Sequence, residues 1–266
     1  MNRIVLFLIT VMSFSLISCS KSDHECYSSV QVTGYYTPRV ADYDVAATLT
    51  IPVGEILEVH NASFLAIAKI KGAGVTHTGR ILEYQSGEWK ERRYPLSEAE
   101  ETWFPRERDY IETRTITTRE DKRERTYPKA FVDEAGLEGA GEISSGEVIG
   151  WPWDCPTNDG VISYRSAECD ARWHVYSAAL DATGAPLKRG VIATDKKFFN
   201  PASPWTVIID PVPPGYTSNA FSARDLGPAI VNARIDVYTG HGHQGLKETI
   251  ALTGDGYRVC FQKTAL

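Results

Sequence analysis

Apolar and polar residues alternate along much of this chain with the two-residue period of a strand that buries one face. Val30 and Val32 alternate with Gln31 and Thr33 and predict a strand that runs through Tyr35 and Tyr36 and stops at Pro38. Neighbouring tyrosines on a strand face opposite ways, so one belongs to the core and the other could line a sugar-binding cleft. Further strands are predicted over residues 48–51, 55–60 and 81–84, with the apolar run 64–70 read in the same series. The alternation over 111–117 predicts an exposed strand or hairpin arm. Residues 172–180 predict a strand that turns at 181–185 and pairs back over 190–195, and 257–262 predicts a last strand after the turn at 253–256. The one clear helix signal lies at 96–101, where Ser97 can cap a first turn rich in glutamate. Residues 130–160 hold Gly136, Gly139, Gly141, Gly146 and Gly150 and read as loops around 148–153, where Trp151 and Trp153 share a face. No internal repeat is evident.

Composition supports this mainly β picture. The chain has 266 residues, with 21 Gly, 14 Pro and 13 Tyr, room for one large domain or two smaller ones. A net charge of −6 gives no basic footprint for nucleic acid. The mixed charges of residues 88–125 read as a solvated face, or as a cleft wall facing the carboxylates and amides of a polymer. At the N-terminus, Arg3 precedes an apolar run over 4–17, too short for a membrane span of about 20 residues and suited to a secretory signal. Its ending, Leu16-Ile17-Ser18-Cys19, resembles a bacterial lipobox, which implies a signal peptide over 1–18, lipidation of Cys19 and a tether over 19–29. Ser20 and Lys21 after that cysteine resemble the outer-membrane sorting pattern of a Gram-negative cell, on the periplasmic face. An exported chain meets an oxidising compartment. Four cysteines then remain, with three possible pairings; we expect Cys155–Cys169, closing a short loop, and Cys26–Cys260, joining the two ends of the mature fold. No C-x-x-C or His-Cys spacing marks a metal site, and His241-Gly242-His243 lacks a placed third ligand.

The candidate chemistry lies between Trp205 and Gly240, where Asp210, Asp225 and Asp236 sit in or beside β-rich apolar runs. Paired carboxylates are the working groups of glycosidic bond cleavage, provided burial or a like charge holds one of them protonated. Ile230, Val231 and Ile235 offer apolar surface for that purpose. Arg234 and Tyr238 lie two residues either side of Asp236 and share its face on a strand.

The pieces Val207-Ile208-Ile209-Asp210-Pro211, Pro213-Pro214-Gly215, Ala223-Arg224-Asp225-Leu226-Gly227-Pro228-Ala229-Ile230 and Arg234-Ile235-Asp236-Val237-Tyr238 resemble the 3D domain of the membrane-bound lytic transglycosylase A family. The segment from Val30 to Pro38 is similar to that family's opening barrel strand. The resemblance implies a six-stranded double-psi β-barrel built from 30–40 and 200–266, with a large inserted β-rich region over 41–199. It implies Asp236 as catalytic acid, Asp225 as supporting carboxylate, and Asp210 as a third signature aspartate with an architectural hydrogen-bonding role. Tyr35, Tyr36, Arg234 and Tyr238 are the expected substrate contacts. The implied reaction cleaves the β-1,4 bond between N-acetylmuramic acid and N-acetylglucosamine, with 1,6-anhydro ring closure, by a single carboxylic acid and no cofactor. The implied partners are peptidoglycan strands and, through the lipid, a membrane, for a chain acting as a monomer. Where the family tends to have Gly-Gly-Ala-Ile-Lys-Gly, this chain has Gly227-Pro228-Ala229-Ile230-Val231-Asn232, without the lysine. The competing readings are a non-catalytic peptidoglycan-binding barrel and a structural envelope lipoprotein.

Overall fold

The computed structural model describes residues 24–43, 48–53, 55–143, 146–150, 169–227 and 230–263. The signal segment, Cys19, Trp151, Trp153, Cys155 and Pro228 lie outside them. The first strand, β1, spans His24–Thr37. Val30, Val32, Gly34 and Tyr36 are buried on one face and alternate with Gln31, Thr33 and Tyr35 on the other. The tether expected over 19–29 is therefore shorter, because from His24 onward the chain is already strand.

A 3-10 turn at Val40–Tyr43 leads into the inserted module. Its first part is a hairpin of β2 (Leu49–Val53) and β3 (Glu55–Val59), the helix α1 (Ala62–Lys71), and a sheet of β4 (Ala73–Val75), β5 (Ile81–Gln85) and β6 (Glu88–Arg92). Two short helices follow, α2 (Glu98–Trp103) and α3 (Glu107–Ile111). Its second part is a hairpin of β7 (Thr113–Thr117) and β8 (Glu124–Pro128), the helix α4 (Lys129–Glu138), and a sheet of β9 (Ala140–Glu142), β10 (Val148–Gly150) and β11 (His174–Tyr176). The capping box at α2 forms as the sequence suggests, with Ser97 and Glu100 bonding each other's backbone N–H.

The module is an internal duplication, contrary to the sequence expectation. Pro38, Arg39, Asp42, Tyr43, Phe64, Ala68, Gly72, Ala73 and Gly74 recur as Pro105, Arg106, Asp109, Tyr110, Phe131, Ala135, Gly139, Ala140 and Gly141, each pair 67 positions apart. The geometry repeats with the residues. Gly72 and Gly139 end their helices at φ 91° and 88°, the left-handed conformation glycine adopts freely. A Cβ on Gly74 would lie 2.8 Å from the Ala68 methyl and the Phe64 ring; on Gly141 it would lie 2.7 Å from the Ala135 methyl. The copies interlock reciprocally. Val75 N–H donates to the Pro105 carbonyl at 2.9 Å, and Glu142 N–H to the Pro38 carbonyl at 2.8 Å. Tyr43 stacks on Tyr110 with ring centroids 5.6 Å apart, Phe131 meets Tyr43, and Phe64 meets Tyr110. The module thus has a local pseudo-two-fold with the tyrosine pair near its centre.

The chain then returns to the barrel with β12 (Val191–Thr194), β13 (Trp205–Asp210), β14 (Ala220–Leu226), β15 (Ile235–His241), the helix α5 (Gly242–Leu252) and β16 (Gly254–Gln262). Six strands close in the order β1-β15-β12-β14-β13-β16. The β1–β15 and β12–β14 pairs are parallel and the others antiparallel. This is the mainly β, six-stranded closed barrel that the resemblance implied. Val32, Ile192, Val207, Ile209, Ala223, Ile235, Val237, Val259 and Phe261 fill its core. A second core, including Phe64, Ile116, Phe131 and Trp173, fills the module and reaches Tyr36 of β1 and Leu246 of α5.

Several expectations change. Residues 64–70 form helix, not strand: Asn61 Oδ1 accepts the Phe64 N–H at 2.9 Å and Gly72 closes the far end. Residues 130–138, expected as loop within 130–160, lie in α4. The strand at 172–180 does not pair with 190–195; β11 pairs with β10, and β12 with β14 and β15. Because β12 is a barrel wall, the barrel's second stretch begins at Val191 rather than at residue 200. Cys26 and Cys260 face each other in the β1–β16 register and form a disulfide, their Cα atoms 4.0 Å apart. Cys169 is disulfide-bonded, while Cys155, its expected partner, lies outside the described residues. Among the described residues no helix is long and apolar enough to cross a membrane.

Candidate active site

The outer wall of the barrel carries the site, and β12 sits at its middle. Ala193 pairs with Asp236 of β15 on one side and with Asp225 of β14 on the other. Two strand spacings separate the aspartates, roughly 10 Å between their Cα atoms. Thr33 of β1 pairs with Asp236 on its far side. The row across the wall is thus Thr33, Asp236, Ala193, Asp225.

Alternation explains Asp236. Ile235 and Val237 are fully buried in the barrel, so Asp236 points outward. Alternation alone would send Asp225 the wrong way, because Ala223, two residues earlier, is fully buried in the barrel. A bulge corrects this. Ile192 pairs with Ala223 but Ala193 pairs with Asp225, which leaves Arg224 as the extra residue and turns Asp225 onto the outer face.

The two carboxylates have different surroundings. Asp225 accepts three hydrogen bonds: from the Tyr35 hydroxyl at 2.7 Å, from Leu226 N–H at 2.9 Å and from Ala182 N–H at 3.0 Å. Burial still pushes its proton affinity above the ordinary carboxylate value, against those donors, with Asp181 adding to the push. Burial also raises Asp236, opposed by the Arg234 guanidinium and the Thr33 hydroxyl. These two neighbours stay loose. Arg234 Nε is 3.6 Å from Asp236 Oδ1, and neither that oxygen nor Thr33 Oγ1 completes a hydrogen bond. Asp236 is a largely dehydrated carboxyl whose side chain is 21% exposed, while its Oδ1 is buried without a completed hydrogen bond. Asp225 is a carboxylate held in place.

The hairpin that presents Ala182 is itself tied down. A bridge between Leu180 and Pro186 closes it. Asp181 Oδ1 accepts from Thr183 N–H at 2.9 Å and Ala185 N–H at 3.1 Å, and Asp181 Oδ2 lies 3.0 Å from Arg224 Nη2. The bulge residue therefore anchors the loop that caps Asp225.

The other expected site residues divide. Tyr35 faces the site, and burial with Asp225 beside it raises its hydroxyl well above the usual range. Tyr36 does not face it: fully enclosed on the opposite side of β1, it donates to Glu134 Oε1 at 2.9 Å. Tyr238 shares the outer face but is 1% exposed, bonded to the Thr37 hydroxyl at 2.8 Å and packed on Tyr35, so it supports the wall rather than presenting a surface to substrate. Its hydroxyl is pushed up to about 12, mainly by burial. Asp210 ends β13 at an exposed position, opposite Arg258, and lies on the far side of the barrel order from β15; among the described residues its side chain makes no hydrogen bond. His241 and His243 meet the inserted module: His241 Nδ1 lies 3.0 Å from Glu142 Oε2, and His243 N–H donates to Asp42 Oδ2 at 3.1 Å. His24, Cys26 and Cys260 cluster, but the disulfide occupies both sulfurs. Thr33, Ala193, Asp181 and Ala182 were not singled out in the sequence, and the only trace of the bulge there is Arg224, a charge between an inward alanine and the aspartate.

Two cavities adjoin the barrel. One of about 560 Å³ is lined by Arg189, Thr206, Tyr216, Ser218, Phe221 and Ser222. The other, of about 310 Å³, lies in the seam with the inserted module and is lined by Glu142, Val148, Pro186, Leu187 and His241.

No family model matches the chain, and no curated protein matches it. Solved structures similar to it include MltA from E. coli, 15% identical with a TM-score of 0.39 over 92% of this chain and 77% of that one. A second is E. coli MltA with bound chitohexaose, 14% identical with a TM-score of 0.41 over 90% and 73%. A third is LtgG, a lytic transglycosylase of Burkholderia pseudomallei, 14% identical with a TM-score of 0.36 over 91% and 73%. Likeness at this level adds no weight to the roles of individual residues.

Proposed function

We propose that this chain is a lytic-transglycosylase-like protein that cleaves peptidoglycan strands, with Asp236 as its single acid and base. The observation that carries the reading is the environment of Asp236: dehydrated, raised in proton affinity, lacking a completed hydrogen bond at Oδ1, and open to one side. Burial of this kind favours the protonated form of a carboxyl, the form that can give a proton to a leaving oxygen. In the reaction proposed, the Asp236 carboxyl protonates the glycosidic oxygen between N-acetylmuramic acid and N-acetylglucosamine as the C1–O bond breaks. The resulting carboxylate takes the proton of the muramoyl 6-hydroxyl, and that oxygen bonds to C1, closing the 1,6-anhydro ring. The proton lost in the first half returns in the second, so no water is consumed. Asp225, held by three donors, fixes the wall beside the acid and does not transfer the proton.

Purified peptidoglycan supplies the test. Wild type is expected to release 1,6-anhydromuropeptides, and Asp236→Asn to lose about 100-fold or more of that rate while still binding the polymer. Binding by wild type with no anhydro product would instead identify a glycan-binding barrel. We further propose that the chain is exported and lipidated at Cys19, which holds it at the periplasmic face of an outer membrane. Radiolabelled palmitate should enter the wild type but not Cys19→Ser.

A further inference from the structure

Arg234 is the residue just before β15, two positions ahead of Asp236 and on its side of the wall. Three arginines elsewhere around the barrel each complete an ion pair. Arg189 Nη2 meets Glu248 Oε2 at 2.7 Å, Arg224 Nη2 meets Asp181 Oδ2 at 3.0 Å, and Arg39 Nε meets Glu142 Oε2 at 3.1 Å. Arg234 does not, although a carboxyl stands beside it. Its Nε stops 3.6 Å from Asp236 Oδ1 and makes no hydrogen bond with a described residue. That Nε is buried, while the side chain as a whole is 39% exposed. Thr33 Oγ1, on the neighbouring strand β1, is likewise buried without a hydrogen bond. Two dry donors and the Asp236 oxygen thus stand together without satisfying one another. Buried polar groups left in this way are rare in a folded chain, because their lost hydration is not replaced.

What such a set recognises follows from its chemistry. A guanidinium offers a planar fork of donors that fits a carboxylate through two parallel bonds, and a hydroxyl adds a further donor. In the free protein Arg234 is the wrong neighbour for an acid, since its charge favours the ionised form of Asp236. Tyr35 of β1, Glu138 of α4 and, beyond Ala193, Asp225 of β14 are the titratable groups that other elements bring toward Asp236, and none of them is a cation. A chain of net charge −6 moreover repels an anionic polymer unless a local cation meets it. In a strand of alternating N-acetylglucosamine and N-acetylmuramic acid the ionised groups are carboxylates. The lactyl ether at C3 of the muramoyl ring, the ring whose C1–O bond would break, bears one. A stem peptide attached there ties that carboxyl into an amide and brings carboxylates of its own.

We propose that Arg234, with Thr33 beside it, is the receptor for a substrate carboxylate, so that the protein selects glycan strands bearing carboxylates over neutral ones. This rests on the transglycosylase-like reading of the Asp236 site. A carboxylate seated on Arg234 cancels the cation that Asp236 feels, so the acid gains its proton as the strand binds. Isothermal titration of the Asp236→Asn chain, which should hold the strand without cutting it, supplies the test. The probes are peptide-free glycan strands, strands with stem peptides, and chitohexaose, which has no carboxylate. Arg234→Gln added to that chain should weaken binding of carboxylate-bearing strands by on the order of tenfold and leave chitohexaose unchanged. Loss confined to peptide-free strands identifies the lactyl carboxylate, and loss confined to peptide-bearing strands identifies a stem carboxylate. Arg234→Lys, which keeps the charge without the fork, should lose part of the selectivity, and it decides the matter where Arg234→Gln does not fold. Equal loss on all three probes, or none on any, overturns the proposal. In the wild type, N-acetylmuramic acid should raise the Asp236 midpoint read by carbon-13 carboxyl NMR, and N-acetylglucosamine should not; equal responses overturn the coupling. Selectivity in a chain that releases no anhydro product overturns the transglycosylase reading and leaves the carboxylate receptor standing. Anhydro product from a chain without selectivity overturns the receptor alone.

Discussion

At the scale of single residues, two aspartates on one wall receive opposite treatment. Tyr35 does much of the dividing, since its hydroxyl is the shortest of the three bonds to Asp225. Tyr35→Phe removes that donor from a buried acceptor and should cost about 1–3 kcal/mol of stability, read by urea denaturation. The sign of the accompanying pH effect follows from the raised proton affinity of Asp225. A carboxyl that holds its proton more tightly folded than unfolded contributes no penalty below the ordinary carboxylate value. Stability is lost as pH rises from there through the folded value. Without the Tyr35 hydroxyl, which favours the charged form, that loss deepens, so the difference between Tyr35→Phe and wild type should be larger at pH 7 than at pH 3. A difference that does not change with pH would remove Asp225 as the partner.

At the scale of elements, legibility depended on period. The barrel strands could be read because Val30 and Val32, or Ile235 and Val237, alternate with polar residues over a half-buried wall. Helices α1 and α4 were hidden. The run from Phe64 to Ile70 is apolar enough to pass for a strand, and the glycines after α4 read as loop although they cap it. The duplication is written in the sequence as Pro-Arg-x-x-Asp-Tyr and Phe-x-x-x-Ala-x-x-x-Gly-Ala-Gly. Its identities are sparse and the hairpins between them differ in sequence, so the reciprocal Tyr43–Tyr110 packing is what makes them conspicuous. The β14 bulge could not be read at all, because which residue is extra depends on the register of β12, a strand far away in sequence. The repeat has its own test. A methyl group at Gly74 or at Gly141 meets an alanine and a phenylalanine at nearly the same distances, so Gly74→Ala and Gly141→Ala should each cost about 1–3 kcal/mol, and by similar amounts. Loss at one site only, measured by thermal melting, would show that the copies are not packed alike.

At the scale of the whole molecule, the chain is stapled where it starts and where it finishes. Cys26 and Cys260 are 234 positions apart, so the bond closes a loop of nearly the full described length. Cys26→Ser with Cys260→Ser should lower stability by about 2–5 kcal/mol in denaturant, and reductant should cost the wild type more than the double variant, in which the Cys169 disulfide is the one left to reduce. The tie holds β1 to β16 and therefore steadies the strand that carries Thr33 and Tyr35.

The order of strands around the barrel also has a consequence in time. Thr33 and Tyr35 are made among the first residues, Ala193 much later, and Asp225 and Asp236 near the end, yet all stand shoulder to shoulder on one wall. A chain that emerges N-terminus first can complete its inserted module while the wall is still missing three neighbouring strands. The acid has no setting until the last stretch arrives. A chain truncated before its last strands therefore lacks the surroundings that bury Asp236, and on the reading proposed above it would have no working acid.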